Sequence, residues 1–302
     1  MRWFSSAEFQ FRHIGWHPVA YWIGRPASIC LKEPDGTTVA SLLASPDRLR
    51  VAWLHLFAAG NPPGARAAWD LLWPTAERIL TGMGLPSVWA MTTQEWLIGL
   101  LKGSGFVDHG RVVAYSQQPS RMRSEGGRTA SVGLLSESDL PEVERLDHAA
   151  FAPPWQMDAE ALRATWERSV LATLLRLEGR IAGYLMAVAT PQGVHLTRLA
   201  VHPDQQNMGI GRALIFHLLN HFHRLGAPRI TVNTQIENRR SQRLYSSLGF
   251  REMEESYPVL RIDLPPGSKR LRAIPSPVYH SNPEVIENDA DLSGVMHPNL
   301  PG

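Results

Sequence analysis

The stretch 199–214, Leu-Ala-Val-His-Pro-Asp-Gln-Gln-Asn-Met-Gly-Ile-Gly-Arg-Ala-Leu, constrains the fold more than any other. An apolar run ends at Val201 and a polar loop follows. Two glycines, Gly209 and Gly211, then open a helical pattern with Leu214, Leu218, Phe222 and Leu225 in line. A strand that feeds a helix through such a loop belongs to an α/β architecture. The first turn of a helix presents unpaired N–H groups and a partial positive charge, and glycine lets a ligand approach the backbone closely. The stretch therefore reads as a main-chain cradle for a pyrophosphate.

The elements around it follow a definite order. A short strand is expected at 130–135, and Ser136 and Asp139 offer cap chemistry for a helix reaching Ala150. Asp158 is placed to cap a second helix over 159–169. Strands are expected at 170–177 and 181–189, joined by Glu178-Gly179-Arg180, and at 194–201. A helix over 211–225, a strand at 229–233, a helix over 239–248 and final strands from Phe250 complete the set. The first hundred residues give a shorter version: strands at 27–32 and 38–43 around Asp35-Gly36, an apolar strand at 51–58, and a helix over 65–80 broken or kinked near Pro74. A strand at 86–91 and a helix over 93–101 follow, and Gly105-Phe106 then echoes Gly249-Phe250. The chain reads as a duplicated α/β unit of roughly 100 residues.

The 302 residues suffice for two such units. The expected division is 1–118, a polar linker at 119–128, a second unit at 129–264, and a proline-rich tail at 265–302 with too few large apolar side chains for a core. Thirty Lys and Arg balance 28 Asp and Glu, which excludes a nucleic-acid protein that works through a large basic surface. The single cysteine, Cys30, can form neither an internal disulfide nor a cysteine zinc cluster. His217 and His221 stand four apart on one helix without a carboxylate at ligand spacing, so no metal is expected. No apolar run approaches the ~20 residues of a membrane span, and the opening lacks the apolar region of a secretory leader. A cytoplasmic protein that does not bind membranes is the expectation.

Gln206-x-x-Gly209-x-Gly211 between a strand and a helix resembles the signature of the GNAT superfamily of acetyl-CoA-dependent N-acetyltransferases. A second block, Asn238-Arg-Arg-Ser-Gln-Arg-Leu-Tyr245-Ser-Ser-Leu-Gly-Phe250, is similar to another family pattern. The resemblance covers 129–263 and implies a mixed α/β sheet, an acetyl-CoA donor and a primary amine acceptor, either a protein N-terminus or a small molecule. It implies donor contacts at Leu199, Ala200, Val201, Gln206, Asn207, Met208, Gly209, Ile210, Gly211, Arg212 and Asn238. In the first unit the corresponding loop is Asn61-Pro-Pro-Gly64-Ala-Arg66, where two prolines remove amide donors and the second glycine is missing. The chain thus looks like a tandem of two GNAT-like domains, the first degenerate.

Within the superfamily the second unit resembles the bacterial enzymes that acetylate a ribosomal protein's N-terminal alanine. Asp147-His-Ala-Ala-Phe151-Ala-Pro-Pro-Trp155 carries that likeness, and it implies Phe151 and Trp155 beside the acceptor. A small-molecule enzyme similar to the two-domain mycothiol synthases and a non-catalytic acetyl-CoA-binding regulator are the alternatives. Tyr245 matches the family's acid, which protonates the leaving thiolate. For the base, the ribosomal-protein group has Glu where this chain has Asn233. Other members place a base on the strand before the signature, where His195 stands. Glu237 and a water chain are the reserves.

Overall fold

A computed structural model describes residues 6–13, 19–48, 50–118 and 132–266. The expected linker, and the tail beyond residue 266, lie outside the described residues. The first unit contains β1 (Phe9–Arg12), α1 (Val19–Trp22), β2 (Ser28–Lys32), β3 (Thr38–Leu43), β4 (Ala52–Trp53), β5 (Leu56–Ala59), α2 (Ala65–Gly82), β6 (Ser87–Met91), α3 (Glu95–Gly103) and β7 (Val107–Gln117). The second contains β8 (Val132–Leu134), α4 (Leu140–Ala150), α5 (Ala159–Arg168), β9 (Ser169–Leu177), β10 (Arg180–Thr190), β11 (Gly193–Val201), α6 (Ile210–Arg224), β12 (Ile230–Gln235), α7 (Arg239–Ser247) and β13 (Arg251–Asp263).

Local chemistry sets most of these boundaries. Ser136 and Asp139 form a reciprocal capping box ahead of α4. Asp158 Oδ1 accepts the Ala161 N–H at 2.8 Å and starts α5. Gly105 and Gly249 stand at φ 94° and 89°, left-handed positions suited to glycine. The following Phe106 and Phe250 N–H groups bond back to Leu101 and Tyr245 carbonyls, both at 3.1 Å. The repeated Gly-Phe pair is thus the same helix stop made twice, each time sending a phenylalanine into a core. α2 runs unbroken through Pro74, contrary to the expected break. Pro74 faces solvent, where water can satisfy the carbonyl that the proline leaves without a donor.

The strands form a four-stranded sheet, β1-β5-β3-β2, and a nine-stranded sheet, β4-β6-β13-β7-β12-β11-β10-β9-β8. The larger sheet shows an exchange. β7, from the first unit, lies between β12 and β13 of the second; β13 in turn lies between β7 and β6. The cores are exchanged as well. Leu260, Ile262 and Leu264 are buried in the first unit's core around Phe57, Trp69 and Leu97. Val113 and Tyr115 are buried in the second unit's core around Leu185, Leu214 and Tyr245.

Two further departures concern the first unit. The apolar run 51–58 is two strands in different sheets, because Leu54 N–H turns to Trp89 C=O while His55 N–H turns to Leu43 C=O. β1 has no counterpart in the sequence reading. It pairs antiparallel with β5 from Phe9 opposite Ala59 to Arg12 opposite Leu56.

Candidate functional site

β11 and β12 run parallel and pair only at Val194–Ile230, His195–Thr231 and Leu196–Val232. Beyond Leu196 they part. β11 stays with β10 as far as Val201 opposite Gly183, and β12 stays with β7 as far as Gln235 opposite Val112. The sheet opens there as a wedge between residues 197–201 and 233–235. The chain then turns through Asn207 and Gly209, at φ 68° and 81°, and α6 begins at the mouth of the wedge. The helix's first bond is Ala213 N–H to Gly209 C=O at 2.9 Å. Gln206 Nε2 donates to Val201 C=O at 3.2 Å and ties the loop to the strand end.

The glycines at this corner have different tasks. A Cβ on Gly209 would meet nothing within 4 Å, so its left-handed φ is what requires glycine. A Cβ on Gly211 would stand 3.2 Å from Leu244 Cδ2 and 3.6 Å from Val201 Cγ2. Gly211 therefore lets α6 approach α7. Gly183, which the sequence reading missed, would place a Cβ 2.8 Å from Ile210 Cγ2 and 2.9 Å from Ala200 C=O. It lets the start of α6 settle on β10. An isolated glycine inside a strand pattern is the signal for such close approach. Ile210 is buried, Leu199 and Val201 pack against the core beneath α6, and Ala200 faces the opposite core. Met208 is exposed, and Arg212 lies in the first turn of the helix.

Asn238 caps α7, its Oδ1 accepting the Ser241 N–H at 3.2 Å. Tyr245 is buried, with Tyr115 and Phe250 at ring separations of 6.0 and 5.8 Å. Burial pushes its phenol well above the ordinary range, and a hydrogen bond from Ser241 opposes the shift only in part. The phenol is thus protonated at any physiological pH. His195 sits where β11 and β12 begin to part, its Nδ1 2.9 Å from Thr231 Oγ1. Loss of hydration lowers its pKa from 6.5 to about 4, so the ring is neutral at pH 7 and a weak base.

Phe151 and Trp155 are held by a buried ion pair that the sequence reading missed. Arg198, on β11, meets both Asp147 oxygens at 2.6 and 2.7 Å. Tyr184 OH donates to Asp147 at 2.5 Å, and Met157 N–H donates to it at 2.9 Å. Arg198 also donates to Trp155 C=O at 2.7 Å and lies 3.6 Å over the Phe151 ring. The signal was an arginine at a core-facing register of an alternating strand, with an aspartate one residue after Leu146 on the buried face of α4. Phe151 is thus a platform for Arg198. Trp155 instead reaches the first unit, its ring 5.4 Å from Trp53.

A cavity of about 160 Å³ lies beside Trp155. Its walls include His109, Gly110 and Arg111 of β7, Gln235 of β12, and Glu237. Gly110, at φ 144°, makes room for Glu237, whose Oε1 would lie 2.7 Å from a Cβ there.

The first unit repeats the wedge but fills it. β4 pairs with β6 and β5 with β3, so the strand path splits as β11 and β12 do. β1 occupies the gap along β5. A groove of about 620 Å³ lies outside, along Phe9, Pro63, Gly64, Arg66, Trp96 and Leu100.

Among the described residues no cluster of three or more His, Cys, Asp or Glu is placed to hold a metal ion, and no helix is long and apolar enough to cross a membrane.

Residues 140–250 match the family model described as acetyltransferase (GNAT) family. The [ribosomal protein bS18]-alanine N-acetyltransferase of Escherichia coli K12 is 28% identical over 122 residues, covering 40% of this chain and 81% of that protein. The mycothiol acetyltransferase of Thermobifida fusca is 35% identical over 133 residues, covering 41% of this chain but 36% of that protein. Two solved structures share the fold across both units. A GCN5-related N-acetyltransferase from Sphaerobacter thermophilus aligns with TM-score 0.57 and 17% identity, covering 83% of this chain and 85% of that one. A tandem GNAT protein from the clavulanic acid biosynthesis pathway aligns with TM-score 0.54 and 14% identity, covering 82% and 86%. With the glycine-capped helix at the mouth of a parted sheet, these findings identify residues 140–250 as a GNAT-family acetyltransferase domain, and the two solved structures share the fold of both units together.

Proposed function

We propose that the second unit moves the acetyl group of acetyl-CoA to a primary amine by direct attack, with the donor lying in the wedge between β11 and β12. The observation that carries this reading is the parting of the two strands after Leu196, with the start of α6 at its mouth. Main-chain amides of the 206–212 loop would hold the pyrophosphate, and the freed edge of β11 at Leu199, Ala200 and Val201 would hold the donor's arm. No metal enters the reaction as we read it. The filled wedge of the first unit, with prolines at 62 and 63, supports a single donor site.

The reaction needs a neutral amine, an outlet for its proton, and a proton for the thiolate that leaves. Tyr245 keeps its proton and fills the last role. His195 remains the base candidate, and its lowered pKa makes it a weak one. A peptide N-terminus and a small-molecule amine both suit this chemistry, as the bS18-alanine and mycothiol acetyltransferases illustrate.

Tyr245→Phe tests the reading. Turnover should fall by roughly 10²-fold while acetyl-CoA affinity is kept, because the phosphate cradle is elsewhere. Steady-state rates and calorimetry together check it. Turnover equal to wild type would remove Tyr245 from the chemistry.

A further inference from the structure

The cavity beside Trp155 belongs to neither unit alone. His109, Gly110 and Arg111 come from β7, which reaches the second unit only through the strand exchange. Glu237 follows the end of β12 and sits over Gly110, a glycine whose missing side chain makes that approach possible. Arg111 makes one long bond, Nη1 to Ser256 Oγ at 3.4 Å, out of the five donors a guanidinium carries. Gln235 and Val259 also line it, and Trp155 closes one side, fixed through its carbonyl by Arg198 and through its ring by Trp53 of the first unit. Glu160, on α5 just beyond this loop, meets Tyr21 OH at 3.0 Å and Arg48 at 3.5 Å, so the first unit braces the segment twice.

We propose that this cavity is the acceptor site, built jointly by the two units, and that it takes an α-aminoacyl head group: the ammonium against Glu237, the adjoining carbonyl or carboxylate oxygen against Arg111, and the first carbons against Trp155. The proposal rests on the acetyl-transfer reading above. A cavity of about 160 Å³ takes a small polar head group, and its open side leaves room for the rest of a longer acceptor. One acidic and one basic side chain on the same small cavity suit a group with an ammonium and an oxygen acceptor on neighbouring carbons. An alkylamine would offer Arg111 no oxygen to bind. Acid–base chemistry agrees. The α-ammonium of a peptide N-terminus, with a pKa of about 8, loses its proton at neutral pH more readily than an alkylammonium near ~10.4.

A peptide N-terminus and a free amino acid share this head group, and the experiment separates them. The full chain would be assayed with acetyl-CoA against an alanyl hexapeptide, free alanine, alaninamide and butylamine. Wild type should acetylate at least one of the three alanyl acceptors at least 100-fold faster, in kcat/KM, than butylamine. Preference for the hexapeptide identifies a protein N-terminus, and preference for free alanine identifies an amino acid. Glu237→Gln and Gly110→Ala should each raise the alanyl acceptor's KM at least tenfold with the acetyl-CoA Kd unchanged. Arg111→Met should do the same for alanyl acceptors and leave the butylamine rate alone. Thermal melts confirm that each variant folds, and Arg111→Met decides the matter if Gly110→Ala does not. Equal use of butylamine, or an unchanged acceptor KM in Glu237→Gln and Arg111→Met, would overturn this proposal while leaving acetyl transfer standing. Binding of acetyl-CoA with no amine acetylated would overturn both.

Discussion

Asp147 and Arg198 show how far one buried pair reaches. The pair is almost fully removed from water and ties α4 to β10, β11 and the Phe151–Trp155 segment at once. Removing one charge leaves the other buried without compensation, which costs about 3–5 kcal/mol. Asp147→Asn should therefore lower stability by about that amount in urea unfolding; a loss under 1 kcal/mol would mean that the pair is not the anchor described. His195 supplies a pH signature. Its value is about 4 in the folded chain against 6.5 unfolded, so the unfolded chain binds more protons between those limits. The stability contributed by the neutral ring is fully present above pH 6.5 and is lost as the pH falls from there through 4. His13 is lowered to about 4 by burial and shares the window. His195→Gln should flatten, without abolishing, the fall of the urea midpoint between pH 6.5 and 4. An unchanged slope would contradict the burial of the ring. Single residues were unevenly legible in the sequence. Gly209 was legible because a loop glycine before a helix has few other uses. Asp147, Arg198 and Gly183 were not, because each matters through a contact across 27 residues or more of chain.

At the scale of elements, the second unit was legible almost throughout, since its boundaries rest on local devices: the Ser136–Asp139 box, the Asp158 cap and the Gly249 stop. What the sequence hid was pairing. The run 51–58 is uniformly apolar and carries no mark of where one sheet gives way to another. β1 is only four residues long and is specified by its neighbours β5 and α3, the latter through Gln94 Nε2 to Gln10 C=O at 2.9 Å. The expectation of a degenerate first unit rests on Pro62 and Pro63, which remove two amide donors. In the structure β1 also lies along β5, the edge that corresponds to the one proposed to hold the donor on β11. The strands expected from Phe250 are a single strand of 13 residues that pairs with β7 over Arg251–Arg261 and with β6 over Val259–Asp263, so Val259–Arg261 bond on both edges.

That exchange makes the whole molecule more than two beads on a linker. Each fully buried aliphatic side chain contributes roughly 1.5–3 kcal/mol. Leu260, Ile262 and Leu264 together are thus comparable to much of a domain's ~5–15 kcal/mol of stability. A chain cut to residues 1–128 should not fold alone, nor should 129–302, which lacks Val113, Tyr115 and the strand between β12 and β13. Mixing the two fragments should restore a cooperative melt, and a cooperative melt from either fragment by itself would contradict the exchange. The same arrangement explains why the candidate acceptor cavity escaped the sequence: its walls come from positions more than 120 residues apart. On the proposed reading the two units divide the labour: one binds the donor and the other, its own wedge filled, completes the site. Calorimetric titration of the full chain with acetyl-CoA tests it most directly, repeated on Gly209→Val in the cradle and Ala67→Arg at the start of α2. The account predicts one site per chain, weakened at least tenfold by Gly209→Val and untouched by Ala67→Arg; two sites, or a single site lost with Ala67→Arg, would contradict it.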